Sequence, residues 1–330
     1  MTRPQADTTA PLLLLAAFSL LPFLLEDWQR AELTRYFAYM LFAASTAWVW
    51  GHCGLLSFGQ AVFFGMGAYA MGLASSDAHA GLQGMAALVT GMAGGTLAAV
   101  LLAFCIGRVF LSGRQAAGPH FAIATLAISL VAEHTLTSSP LLGGANGLLG
   151  ISLLEFDWAI RLGLPPDWVA YFLGLAVLAC GAGLLIHAAR HPWGIALQAI
   201  RTHPLRAEAL GLDLGRERRR AYMLGAATAA AAGAFFVTQF GFAAPSLAGP
   251  AFSAEVIIWV ALGGRKHIVT ACLGALIVRG TETWLTGPAE VYRPLLLGLA
   301  FILVVLRYPE GLLAAAGRRL ARRAAGQGPR

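Results

Sequence analysis

The sequence predicts an all-α, polytopic membrane protein, and three observations carry that prediction. The chain is 58% hydrophobic and only 12% charged, where a soluble domain is about 25% charged. Its apolar residues gather into about ten windows on the length scale of membrane-crossing helices. Arginine is almost the only basic side chain apart from histidine, with Lys266 the sole lysine, and it clusters in alternate connections between windows. A membrane barrel would instead show alternating strands of about 10 residues, and none is visible. The 39 glycines fit the helical reading, because small residues let membrane helices approach closely.

The windows fall near 10–25, 36–50, 55–74, 83–106, 118–136, 167–187, 221–240, 251–263, 267–285 and 292–307. A full span needs about 20 residues. The second, eighth and tenth windows are shorter and predict tilted, broken or shielded helices. The first, PLLLLAAFSLLPFLL (11–25), follows Arg3 as a secretion signal would. Glu26-Asp27-Trp28 stand where a small-residue cleavage site would be, so the segment is read as a retained span.

Arginine placement sets the topology. Cations are dense at 107–117 (Arg108, Arg114), from Arg190 to Arg220, at Arg265-Lys266, and in a tail running from Arg307 to Arg330. The segment 75–82 has no Lys or Arg, 241–250 has no charge, and 26–35 sets two arginines against three acids. Positive-inside orientation then gives about ten spans with both termini cytoplasmic, as in a bacterial-type cytoplasmic membrane. Ten spans divided at 137–166 make two five-helix halves of opposite orientation, the geometry of an inverted repeat with a pathway between the halves. The cation clusters are explained by topology, so no nucleic-acid partner is expected. Cys53, Cys105, Cys180 and Cys272 lie far apart in apolar segments. They are expected as buried small hydrophobes, with no metal or disulfide role.

Two segments place polar groups at membrane depth. In GHCGLLSFGQAVFFGMGAYAMGLA (51–74), Gly51 and Gly54 loosen the backbone, while Ser57, Phe58, Gly59 and Gln60 form a polar interruption. In GPHFAIATLAISLVAEHTL (118–136), Thr125, Ser129 and Glu133 share one helix face. Interrupted backbone in a bilayer meets protein or a water-filled cavity. Ser57, Phe58, Gly59, Gln60, Thr125 and Ser129 are therefore candidates for a substrate pathway. Gly65, Gly67 and Gly72 are better read as tight packing through small residues. Glu133 and His134 are adjacent on a helix and do not face each other, so a catalytic pair is not expected. LLGGANGLLGI (141–151) is a Gly/Asn turn that lines an entrance or merely connects.

Enzymatic signatures are absent. There is no H-E-x-x-H, no G-x-S-x-G and no His/Cys cluster. With one lysine, in GGRKH (263–267), there is no phosphate-cradling G-x-x-x-x-G-K-[ST] loop. A carrier driven by ions would usually place carboxylates at mid-membrane. These absences speak against an intramembrane enzyme and a stand-alone carrier, and for energy supplied by a partner. The cytoplasmic stretch 188–220 suits that role. GIALQAIR (194–201) reads as a short helix, His203-Pro204 breaks it, and LRAEALG (205–211) reads as a second one. Gly211 is placed to end that helix, and Leu205, Ala209 and Leu212 make a small apolar side. Arginines 216–220 anchor the topology.

At these residues the chain resembles the LivM-type permease subunits of ATP-driven importers for branched-chain amino acids. That family also includes permeases for urea and short amides. The resemblance rests on GLLSFGQAVFFGMGAYA (54–70), GPHFAIATLA (118–127), GGANGLLGI (143–151), HPWGIALQAIRTHPLRAEALGLDL (191–214), WVALGGRKHIVTACLGALIV (259–278) and LLLGLAFILVVLRYPEGLL (295–313). Lys266-His267 and His120 depart from the family's usual residues. The resemblance implies one permease domain over 1–330, a coupling loop at 188–220 and a basic cytoplasmic tail at 308–330. It implies a second, LivH-like permease subunit, two ATPase subunits that bind ATP and Mg, and a periplasmic or extracellular solute-binding protein. No cofactor is expected on this chain. Arg201, Arg206, Ala207, Glu208, Ala209 and Gly211 fall on the family's ATPase-coupling segment. Trp259 and Arg265 resemble a sub-branch holding both amino-acid and urea permeases.

Overall fold

The computed structural model describes residues 9–76, 79–111, 118–151 and 161–284, with six isolated positions between 295 and 312. Among them the regular structure is helical, and the one β-bridge is isolated, Leu148 with Ala243. The helices are α1 (Thr9–Leu20), α2 (Asp27–Ala47), α3 (Gln60–Ser75), α4 (Gly84–Phe110), α5 (Pro119–Ser138) and α6 (Pro166–Arg190). Two short ones follow, α7 (Pro192–Thr202) and α8 (Pro204–Ala209), and then α9 (Leu214–Phe240), α10 (Pro250–Gly263) and α11 (Ile268–Trp284). Proline opens α5, α6, α7, α8 and α10. There its fixed φ suits the first turn and its missing N–H costs nothing.

Four helices, α4, α5, α6 and α9, are long and apolar enough to cross a bilayer, and α10 with α11 makes a fifth candidate whose axes turn by 115°. Gly263 packs on Thr270 and Gly274 on Trp259, so α10 and α11 double back on each other. The chain is a multi-pass helical membrane protein. The predicted tenth window at 292–307 and the tail at 308–330 lie outside the described residues, apart from isolated positions. So do Arg114, Glu155 and Asp157.

The second window proves longer than its apolar core. Residues 27–35, expected in a connection, are the first turns of α2. A capping box explains why: Gln29 Oε1 accepts from the Glu26 N–H at 3.1 Å, and the Glu26 side chain accepts from the N3 backbone. The helix then continues through a π turn at Trp48–His52. Every residue from Tyr36 to Val49 is buried.

Helices α2 and α9 run antiparallel at the centre of the molecule. Tyr39 meets Phe236 at 5.2 Å toward one end, and Trp48 Nε1 donates to the Ala221 carbonyl at 2.9 Å toward the other. Each is followed by a glycine with φ +72°, Gly54 and Gly241. Beyond Gly54 lies a non-helical stretch, beyond Gly241 a connection with one 3-10 turn at Pro245–Ala248, and after each a short helix, of 16 residues in α3 and 14 in α10. Helix α3 lies on α9 at backbone distance: Gly67 faces the Ala230 carbonyl, and Gly233 faces the Phe64 carbonyl. A Cβ at either position would strike that backbone, so only glycine fits.

Helix α5 is amphipathic in the membrane sense. Ile123, Leu130 and Val131 point outward, while Phe121, Thr125 and Ser129 are buried. With lipid as the surrounding solvent, the apolar face gains nothing by turning inward and the polar face must find protein. Two cysteines depart from expectation: Cys53 and Cys272 are buried, but Cys105 and Cys180 sit on outward faces of α4 and α6.

Candidate functional site

The break between α2 and α3 is built from backbone groups that neighbouring helices satisfy. Helix α3 starts only at Gln60, after a non-helical stretch at 53–59. The Phe58 N–H donates to Thr125 Oγ1 at 3.1 Å, and Gly59 lies against the Thr125 carbonyl. Ser57 Oγ stands 3.4 Å from the Tyr222 hydroxyl. The Ala61 N–H donates to Ser253 Oγ at 3.0 Å, and Gln60 Nε2 reaches the Gly225 carbonyl at 3.3 Å and Ser45 Oγ at 3.4 Å. Gln60 Oε1 is buried and has no hydrogen-bond partner among the described residues. Five helices, α2, α3, α5, α9 and α10, thus converge on 57–61.

Of the residues read as a pathway, Ser57, Phe58, Gly59, Gln60 and Thr125 come together here. Ser129 lies one turn further along the same buried face, bonded to its own helix through the Leu126 carbonyl at 2.8 Å. Glu133 sits against the turn at Gly249, while His134 is exposed, so the two share no site. The glycines 65 and 67 serve packing. Gly65 meets Ala248 and Gly67 meets Ala230. The Gly/Asn turn is pinned to the stretch after α9: Leu148 N–H donates to the Ala243 carbonyl at 3.0 Å, and Ile151 N–H to the Gly241 carbonyl at 3.1 Å.

Beneath the break lies the element at 188–220, which is an ordered helical platform and not a loose loop. Trp193 docks α7. Its ring lies 5.6 Å from Trp48, and its Nε1 donates to Glu217 at 2.7 Å. Leu197 and Ile200 are fully buried. Arg201 reaches up from α7, donates to the Gly51 carbonyl, and lays its stem against Gly54. Burial, and then the neighbouring Arg265 charge, lower the pKa of its guanidinium. Arg265 in turn stacks 5.3 Å from the Trp50 ring, and its carbonyl faces Gly51.

Helix α8 ends as expected, in a Schellman motif. Gly211, at φ +88°, donates to Glu208 O at 2.9 Å, and Leu212 donates to Ala207 O at 3.1 Å. Its apolar side differs from the expected one. Ala207 and Leu212 pack on Ile200 and Leu214, while Arg206, Glu208, Ala209 and Gly211 are exposed. Leu205 and Leu210 are 67% and 83% exposed. The helix is only 6 residues long, so one turn cannot bury both ends of its apolar set. The arginines at 216–220 belong to the first turns of α9, capped by Asp213 accepting from the Arg216 N–H at 2.9 Å. Arg218 is buried and not a solvated anchor.

Residues 31–306 match the family of branched-chain amino acid transport system permease components. The chain belongs to that family. It is 28% identical over 316 residues to the high-affinity branched-chain amino acid transport system permease protein LivM of Salmonella typhimurium, covering 88% of this chain and 71% of that one. It is also 28% identical over 296 residues to LivM of Escherichia coli K12, covering 83% and 67%. No solved structure matches the chain.

Within this permease the sequence reading passed over a second polar cluster. Arg279 and Glu282 stand inside the window 267–285, three residues apart, and hydrogen-bond at 2.6 Å. Charged residues inside an apolar window were the available signal. Glu32, Arg35 and Tyr36, which line the same cavity, belong to or adjoin the segment read as a connection, so the cluster is visible only once α2 extends back to Asp27.

Proposed function

We propose that this chain is a membrane-path subunit of an ATP-driven importer for branched-chain or other apolar amino acids. It has about ten spans in two inverted halves, with both termini cytoplasmic. An external binding protein delivers the solute, and a second, LivH-like permease completes the path. Two ATPase subunits, which hold the ATP and Mg, dock on residues 199–212. The membership in the branched-chain family supports the solute class. The matching order of α2–break–α3 and α9–break–α10 supports the inverted halves.

The observation that carries the coupling role is the double contact of the 188–220 platform. On its outer side α8 presents Leu205 and Leu210 to solvent. On its inner side Arg201 holds Gly51 at the mouth of the break. Exposed leucines on a capped, rigid element are suited to a partner's groove, and burying each would contribute about 1.5–3 kcal/mol. A push on α8 then reaches the α2–α3 break through one side chain.

The test is solute-stimulated ATPase activity of the reconstituted assembly carrying Glu208→Arg or Gly211→Pro. Gly211 holds a left-handed φ that proline cannot adopt, so the cap is lost. Stimulation is expected to fall in both variants. Unchanged stimulation in both would overturn the coupling assignment.

A further inference from the structure

We propose that the end of the bundle opposite α7 and α8 holds a binding site for the amino-acid solute itself. A mixed-charge cavity takes the ammonium and carboxylate groups, and an adjoining apolar cleft takes the side chain. This inference rests on the import reading above.

The place follows from α2. From Tyr36 along α2 and its π turn to Gly51 the rise is about 20 Å, so the cluster lies far from the coupling contact. Arg279 Nη1 donates to Glu282 at 2.6 Å and its Nη2 to the Tyr39 hydroxyl at 2.6 Å. The guanidinium lies 4.1 Å from the Tyr39 ring centre. Across from it, Glu32 accepts from Arg35 at 3.0 Å and from the Thr283 hydroxyl at 3.2 Å. The hydroxyls of Tyr36 and Thr283 are 2.7 Å apart. Charges at this depth are costly unless they pair or line a wet cavity. These pair, and they line a half-open cavity of about 290 Å³. An ion-pair lock serving only to hold α2 to α11 would close on itself and leave no such space.

The second cavity gives the ligand its class. A cleft of about 650 Å³, lined by Leu21, Leu25, Leu33, Leu276 and Ile277, shares Glu32, Tyr36 and Thr283 with the first. One wall therefore divides a compartment with both signs of charge from an apolar one. A zwitterion with a hydrocarbon side chain has that same division at its Cα. Arg279 approaches Glu255 at 3.9 Å, too long for a hydrogen bond, and Glu255 is about half exposed. A solute carboxylate would displace that contact and bond the guanidinium directly. The ammonium would lie on the Glu32 carboxylate and the hydroxyls of Tyr36 and Thr283.

The experiment uses the permease–ATPase assembly in nanodiscs, without binding protein, and photo-leucine as the probe. Crosslinks are expected in peptides spanning 28–36 and 276–283. Excess L-leucine should compete with them, and isocaproate (no ammonium) or isopentylamine (no carboxylate) should compete at least about tenfold less well. Glu32→Gln should reduce labelling about tenfold and Thr283→Val severalfold, with elution of the assembly unchanged. Equal competition by either one-charge analogue would overturn the proposal on the wild-type protein alone, whatever the variants do. So would labelling that both variants leave intact. Leucine import by the wild-type assembly with its binding protein, measured in parallel, tests the reading beneath. Import without competable labelling overturns the site alone. Absence of import overturns the import reading, and the site with it.

Discussion

The guanidinium of Arg201 donates to the carbonyl of Gly51, 150 residues earlier in the chain. The same side chain fills the space beside Gly54, where the chain turns left-handed out of α2. One arginine thus ties the 188–220 platform to the place where the central helix breaks. A charged donor here is worth about 1.5–3 kcal/mol. Arg201→Ala should therefore uncouple the two, lowering solute-stimulated ATPase activity about tenfold or more while the assembly still forms. Arg201→Lys keeps the charge but not the reach of the fork, and should fall between. Stimulation equal to wild type in the alanine variant would show that Gly51 does not feel the platform through this contact.

Leu205 and Leu210 should act as anchors for the ATPase partner. Substituting either by Ala removes apolar area that is mostly exposed among the described residues, so the permease alone should keep its thermal stability. Co-purification with the ATPase should weaken, by about tenfold for Leu210→Ala. Loss of permease stability would mean that these leucines serve the fold instead.

The packing of α3 on α9 makes a separate forecast. Gly67→Ala and Gly233→Ala each press a methyl into opposing backbone, at the Ala230 and Phe64 carbonyls. Backbone on two packed helices cannot give way as a side-chain end can. Each change should cost about 1–3 kcal/mol and lower the melting temperature of the purified permease. Gly94 faces open space, so Gly94→Ala is the control and should leave it unchanged or slightly raised.

Thr125 holds the break from the side. Thr125→Val preserves shape but leaves the Phe58 N–H without its partner. Phe58 is partly buried, so a donor so stranded costs about 1 kcal/mol, toward the low end of the range for a buried one. Among the described residues Ser129 bonds its own helix, so Ser129→Ala should be close to neutral for stability. If transport falls in Ser129→Ala while the melting temperature holds, the α5 face lines the path beyond its packing role.

Local signals were legible wherever a few adjacent residues suffice. Pro204 and Gly211 bounded α8, and the Thr125–Ser129 face was readable from spacing alone. Residues 205–212 show where that reading ends. Leu205 is the more apolar of the two in one short helix, yet it is Ala207 that turns inward, against the neighbouring Ile200 and Leu214. The start of α2 is similar. Glu26 and Gln29 announce a helix start, but five charged residues in 26–35 outweighed them in a reading based on apolarity.

By itself the sequence determined the membrane class, the helical character and most helix starts, because composition, proline and capping act over a few residues. It also carried the motifs that place the chain in its permease family. Only the tertiary structure decided which helices are central and which polar groups meet. Helix α2 is buried and yet begins with charges, because α11 brings Arg279, Glu282 and Thr283 to it. The Thr283–Glu32 contact spans 251 residues of sequence. No local pattern encodes such a meeting, since it depends on how whole helices pack. In a bilayer that packing is governed by small residues and by polar groups seeking partners, with little hydrophobic force to read from the sequence.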